Sequence, residues 1–236
     1  RETIPTDDWN AAANKVIEKY GNSPFGTLAG TNPSGSSLKN WGHIDKAKWL
    51  GFHQIGNLRN HDSFSLLTDI YKTDPPVPGI NGEPYYDGME NAEGGSPEAA
   101  EWCRSAMYGS VLSGGLGGHI YGAGGWTGGV WSGEVEEASR YPMWKVFQWP
   151  SGDQMRHLKT FILSEGQKYQ ELVPCTERIQ QNQSAGPRVT TGWAYGAATP
   201  KQDLLMLYFE RDCPKANVTG VKPNTMYIVN WFNPGN

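Results

Sequence analysis

The sequence predicts an α/β fold: the C-terminal half of a (β/α)8 TIM barrel followed by an incomplete β-sandwich domain. Three observations carry this. Short apolar runs alternate with helical segments four times in the first 170 residues or so, as βα units do. Polar residues gather where each run ends, at Thr31-Asn32, His53-Gln54, 81–83 and 119–121, where ligand chemistry collects in parallel α/β folds. Beyond about residue 172 the pattern changes to alternating, strand-like segments separated by Pro, Gly and Asn.

The elements follow in order. Residues 9–20 carry apolar side chains at helical spacing (Trp9, Ala13, Val16, Ile17, Tyr20), with Asp7 and Asp8 before them as caps. Residues 25–29 and 49–55 read as buried strands, and 60–72 as a helix stopped by Asp74-Pro75-Pro76. Residues 77–83 form a third strand. Ser96 caps the next helix with Pro97 at its first position, and the helix runs to about Ser113. Residues 117–122 are a fourth strand, 124–149 a long Gly/Trp-rich loop, and 153–169 a final helix. Residues 189–195, 204–209 and 226–232 then alternate as antiparallel strands.

A full barrel needs eight units and about 250 residues. Four units and a leading helix imply a fragment of a longer chain: 1–172 as the second half of a catalytic barrel, 173–236 as part of a sandwich. The missing N-terminal half of its own barrel is then an expected partner.

Composition narrows the function. The 236 residues carry a net charge of −4 and no basic block, which argues against a nucleic-acid partner held by phosphate contacts. No run of about 18 apolar residues exists, so no membrane span is expected. Glycine, at 30 residues, exceeds the roughly 17 that average usage gives, and ten Trp and eleven Tyr accompany it. Aromatic plates with short polar side chains suit the apolar C–H faces and hydroxyl rims of sugars; they also suit an ordinary core.

Of three cysteines, Cys103 reads as a buried free thiol in a helix. Cys175 and Cys213 are expected to pair, closing a loop of about 39 residues worth roughly 3–4 kcal/mol. Sequons at Asn182 and Asn217 add weak support for export. No cofactor is expected: no G-x-G-x-x-G follows a first strand, no phosphate-loop motif exists, and no H-x-x-x-H or H-x-H marks a metal site. A G-x-S-x-G elbow is also missing. His43, His61 and His157 are expected in solvent.

The sharpest feature is Gly82-Glu83-Pro84-Tyr85-Tyr86-Asp87-Gly88. A glutamate that ends a buried strand and meets proline at once points into a site. Glycosidases need two carboxyl groups about the scissile bond, one ionised and one protonated. Glu83 is the catalytic candidate; it would otherwise serve as a cap or ion-pair partner. Asn32, His53, Gln54, Asn57, Tyr86, Asp87, His119, Tyr121, Trp126 and Trp131 are the candidate substrate contacts. The two tryptophans are expected to offer ring faces from the Gly/Trp loop, on the same side as Glu83.

These residues resemble the apiosidase-like glycoside hydrolases. The Glu83 segment is similar to their E-P-x-Y-E-G, Arg104 and Tyr108 to R-x-x-x-Y, residues 114–122 to G-x-x-G-h-x-Y-G, and 144–155 to W-x-x-x-x-x-x-G-x-x-Q-M. Leu172-Val173-Pro174 is similar to the junction with a C-terminal domain described as collagen-binding. The resemblance implies a (β/α)8 hydrolase of plant or microbial polysaccharide side chains, with Glu83 as the second catalytic carboxylate; a secreted or periplasmic glycoside hydrolase is the leading reading. Asn32-Pro33-Ser34-Gly35 stands where the family shows H-P-x-G, Gln54-Ile55-Gly56-Asn57 where it shows Q-S-G-H, and Asp87 where it shows Glu. The general acid is implied to end the preceding strand, before residue 1 or at Glu2. A non-catalytic carbohydrate-binding or structural protein that keeps the barrel fold is the rival reading.

Overall fold

The computed structural model describes residues 4–21, 25–57, 59–89, 92–125, 141–180 and 190–235. Helix α1 (Thr6–Tyr20) leads, with Asp7 and Asp8 inside its first turn rather than ahead of it, where they still face the positive end of the helix dipole. A four-stranded sheet follows in the order β1 (Gly35–Ser36), β2 (His53–Gly56), β3 (Gly79–Asn81), β4 (Gly118–His119). Strands β2, β3 and β4 are parallel, with His53 opposite Gly79, Ile55 opposite Asn81, and Asn81 opposite His119. Helix α2 (Ser37–Trp41) follows β1, α3 (Ser65–Tyr71) follows β2, and α4 (Pro97–Leu112) lies between β3 and β4. This mixed α/β arrangement around a parallel sheet is a partial TIM-barrel-like fold.

Several expectations are corrected. Residues 25–29 do not form a strand: Gly26 takes φ 65°, Phe25 is 91% exposed, and β1 is two residues that pair antiparallel to β2. The second strand starts at His53, because residues 45–52 turn instead. The segment after β2 begins as a 3-10 turn (His61–Phe64) before α3. Helix α6 (Pro150–Ile162) starts three residues early, with proline in its first turn, and gives way to a 3-10 segment at Gly166–Glu171. The expected 124–149 loop contains a short helix, α5 (Met143–Val146).

Ser96 caps α4 as its sequence implies, its Oγ accepting from Ala99 N at 3.1 Å. Twelve of the sixteen residues of α4 are buried, so this helix is the centre of the core rather than a surface element. Gly109 makes that possible: a Cβ there would lie 2.6 Å from the Phe64 ring. Phe64, Leu67 and Ile70 belong to the same core cluster as α4, and Phe64 packs edge-on against Tyr195 at 5.6 Å between ring centroids. A three-stranded antiparallel sheet of β5 (Val173–Pro174), β7 (Ala194–Ala198) and β8 (Leu205–Phe209) packs on α4 as well, and it and the residue before β7 contribute Trp193, Tyr195, Met206 and Tyr208 to the core. Tyr208 stacks on Tyr108 at 4.6 Å between centroids, 12° from parallel.

Strands β6 (Ile179–Gln180) and β9 (Asn217–Val218) form a separate pair. Residues 226–232 join no strand among the described residues, and Met226 and Ile228 stand 93% and 89% exposed. Cys175 and Cys213 are free thiols rather than a disulfide. Cys175 N bonds Gly196 O, which sets it against the middle of β7, whereas Cys213 lies in the turn beyond the end of β8. Cys103 is buried and free. His61 is 4% exposed, stacked 4.6 Å from Trp193, and His43 and His157 are half-buried; none of the three is in open solvent.

Candidate active site

In a parallel sheet the chain leaves each strand at the same edge, so the loops after β2, β3 and β4 converge. Glu83 emerges two residues past Asn81, the last residue of β3, and Pro84 limits the backbone behind it. Glu83 Oε1 lies 3.6 Å from a terminal nitrogen of Arg59, with side chains 22% and 15% exposed. Arg59 also donates to Asn57 Oδ1 at 2.7 Å, and its guanidinium carbon sits 6.0 Å from the centre of the Tyr86 ring. Asn57 reaches it from a left-handed backbone at φ 55°, a conformation asparagine tolerates. The Tyr86 hydroxyl is pushed up by burial and by the Glu83 charge, against the pull of Arg59. Asn57, Arg59, Glu83 and Tyr86 thus form one cluster. Arg59 was not expected, and nothing local in the sequence marks it, because its role comes from meeting Glu83 across the fold.

Beside this cluster lies an amide pair. Gln54 Nε2 donates to Asn32 Oδ1 at 3.1 Å. Glycines close it in: a Cβ on Gly82 would lie 2.6 Å from Gln54 Oε1, and one on Gly56 2.7 Å from Asn32 Oδ1. Gly82 precedes Glu83, so the pair borders the carboxylate.

His53 points to the other face of β2. Its Nδ1 is 3.0 Å from Ser37 Oγ, and its Nε2 is 3.3 Å from His43 Nδ1. His43 Nε2 in turn meets Pro75 O at 2.9 Å, and Gln54 N donates to Ser37 Oγ. The donors then run one way: Ser37 O–H to His53, His53 Nε2–H to His43, His43 Nε2–H to Pro75. Burial, with the neighbouring His43, lowers the His53 ring to about 4, so His53 is neutral near pH 7. His53 is therefore behind the sheet, apart from Glu83. His119 aligns with Asn81 across β4; burial lowers it to about 3, and its Nδ1 has no hydrogen-bond partner among the described residues.

Asp87 is fully buried. Its carboxylate accepts from Ser151 Oγ and from Gly95 N, and Ser151 Oγ meets Tyr121 OH at 2.9 Å. Burial raises the Asp87 carboxyl, against the lowering pull of these two bonds. Asp87 and Tyr121 thus hold the loops together from inside. Trp126, Trp131 and Glu2 lie outside the described residues. The ring packed beside this loop is Trp149: a Cβ on Gly94 would lie 2.3 Å from it, and Tyr141 meets it edge-on at 4.8 Å. Among the described residues no three His, Cys, Asp or Glu side chains gather as a metal site would need, and no helix is long and apolar enough to cross a membrane.

Glu83 past the carboxyl end of a parallel strand, faced by the Arg59 guanidinium and followed round the sheet edge by the Gln54–Asn32 amides, is the candidate cluster on this barrel-like sheet. Residues 2–169 match the family model for the apiosidase-like catalytic domain, and the chain belongs to that family. A solved structure described as a glycoside hydrolase is similar over 86% of this chain and 47% of its own, at 23% identity and a TM-score of 0.63. A glycoside hydrolase family 5 protein from Bacteroides vulgatus is similar over 93% of this chain and 56% of its own, at 20% identity and a TM-score of 0.58. The chain thus spans about half the length of these structures. No curated protein matches it.

Proposed function

We propose that the chain supplies the Glu83 side of a glycoside hydrolase site that acts on plant or microbial polysaccharide or its side chains. The observation that carries this is the Glu83–Arg59 pair at the strand end. A carboxylate at a strand end is the group that attacks an anomeric carbon or activates water in such sites, and Arg59 beside it fixes its position. Glu83 is the nucleophile or base. Gln54 and Asn32 keep one acceptor and one donor amide edge beyond their mutual bond, which matches a sugar hydroxyl that both gives and accepts a proton. Asn57 and Tyr86 act through Arg59 and the wall of the site.

The protonated partner comes from outside this cluster, since Asp87 is committed to Ser151 and Gly95. A polymeric substrate fits export, and Asn217 of the second sequon is exposed.

The test is Glu83→Gln, which keeps shape and removes charge. Turnover on pectic or arabinogalactan oligosaccharides is expected to fall by about a thousandfold or more, with the fold intact. Undiminished turnover removes Glu83 from the mechanism. Binding of these oligosaccharides with no hydrolysis by the unaltered protein favours the non-catalytic reading.

A further inference from the structure

The turn between β7 and β8 and the chain after β9 enclose an open groove of about 520 Å³, to which no residue of the Glu83 cluster contributes. Residues 200–203 form one wall and 220–223 the other. Its size lies within the roughly 300–1,000 Å³ of pockets that hold small ligands. The walls are tied together by one phenol: Tyr227 OH accepts from Lys222 N at 3.1 Å and donates to Gln202 O at 3.0 Å. Pro200 and Pro223 stiffen the two walls, and Gln202 at φ 53° and Gly220 at φ 69° hold left-handed turns in them. The charge of the groove is one-sided. Among the described residues the lysines in ion pairs are Lys48, with Glu18, and Lys168, with Asp203, so Lys201 and Lys222 stand without one. Asp203, the acidic residue of the walls, is engaged by Lys168 Nζ at 2.9 Å and by Thr199 Oγ at 2.6 Å. Arg178 adds a cation against the second wall, since a Cβ on Gly220 would lie 3.5 Å from its Nε.

We propose that this groove binds an acidic oligosaccharide, a stretch of sugar chain whose carboxylates meet Lys201 and Lys222. The two ammonium groups come from opposite walls, so each can take a carboxylate of its own. A lysine is a point charge on a flexible stem, which follows successive sugars more freely than a planar guanidinium would. Pro200, Val221 and Pro223 offer apolar surface to the C–H faces of the rings, and Gln202 brings an amide that can both give and accept a hydrogen bond. A chain with a net charge of −4 repels a polyanion in general, so this cationic groove fixes where one can sit. Carbohydrate as the occupant rests on the reading of the chain as a polysaccharide hydrolase; the preference for an anion rests on the groove alone.

Titration with a galacturonic acid trimer, followed by the amide resonances of Gln202, Gly220 and Lys222, tests this. Its methyl ester is the control, which keeps the shape and removes the charge. The acid should shift these resonances with the same affinity in the unaltered chain and in Glu83→Gln. Lys201→Ala combined with Lys222→Ala should weaken it about tenfold or more, and so should esterification of the trimer. About 0.5 M sodium chloride should weaken it as well. Both lysines are exposed, so the double variant should keep the thermal midpoint of the unaltered chain. Equal affinity in the double variant, equal affinity for acid and ester, or no shift at these amides overturns the proposal. Inorganic phosphate that displaces the trimer at equal concentration marks a general anion site and overturns the sugar assignment. Undiminished turnover of Glu83→Gln would remove the catalytic reading, while the affinities at these three amides decide the groove separately.

Discussion

Ser151, in the first turn of α6, donates its hydroxyl proton to the Asp87 carboxylate and so ties that helix to the loop that carries Glu83. The same loop runs beside the chain after β4, with Asp87 N donating to Gly122 O at 2.9 Å and Gly124 N to Asp87 O at 2.8 Å. One buried carboxylate therefore sets the spacing between two strand-end loops and a helix.

Ser151→Ala should destabilise the protein by about 1–3 kcal/mol at pH 7, since it strands a buried carboxylate oxygen. The loss should shrink with acid. Burial raises the Asp87 carboxyl above 3.8, so in the folded chain it keeps a proton that the unfolded chain releases. The penalty of burying the charge is missing below 3.8 and grows as pH rises through the folded value. Urea denaturation at pH 4 and pH 7 measures both losses; equal losses would mean that the hydroxyl acts by packing alone.

The His53 ring gives a pH dependence of opposite sign. It titrates at about 4 in the folded chain against 6.5 when free, so the unfolded chain binds the extra proton between these values. The stability that the buried neutral His53 ring contributes is full above 6.5 and is lost as pH falls towards 4. His53→Gln should flatten this part of the stability profile by about 2 kcal/mol, leaving the slope that His119 imposes. An unchanged profile in denaturation midpoints from pH 7 to 4 would contradict the assignment.

His53 also shows where sequence reading stops. In a parallel sheet covered on both sides, strands are apolar or polar without regular alternation, so period two does not reveal which face is the cleft. Gln54 and His53 are neighbours in β2, yet Gln54 meets Asn32 beside Glu83 while His53 meets Ser37 behind the sheet. The features that were legible are those with local causes: Ser96-Pro97 starts α4, and Glu83-Pro84 follows shortly after β3. Arg59 was not legible, because its importance comes from Glu83, 24 positions along the chain. The Cys175–Cys213 pairing failed for a similar reason, since loop length says nothing of where β7 and β8 carry the two sulfurs.

Arg59→Lys should lower kcat/KM by about 10–100-fold. A lysine ammonium keeps the charge but cannot reach Glu83, Asn57 and the Tyr86 face from one planar group. The fold should hold, because Arg59 is partly exposed and packs at the rim. Steady-state kinetics of Arg59→Lys and Arg59→Ala would show it: if lysine restores full turnover, Arg59 supplies charge alone and its fork geometry is irrelevant.

Deleting residues 173–236 should abolish cooperative folding of the remainder. The C-terminal sheet is not an appendage, since Trp193, Tyr195, Met206 and Tyr208 complete the cover of α4. Each large apolar side chain removed from water contributes about 1.5–3 kcal/mol, so four of them rival the 5–15 kcal/mol by which domains of this kind are stable. Polar contacts add to the cost. Glu210, just beyond β8, accepts from Ser105 in α4 and from Trp193 N, and burial holds its carboxyl up at about 7. Removing the sheet would leave Ser105 and His61 facing water beside bare Trp102 and Tyr108. Tyr208→Ala is the milder version: it removes the ring stacked on Tyr108 and should cost about 3–5 kcal/mol. Thermal unfolding followed by near-ultraviolet circular dichroism tests both. A sharp, cooperative transition in the 1–172 piece would show that α4 is held by the strands and helices before it, and that the sheet acts only as a cover.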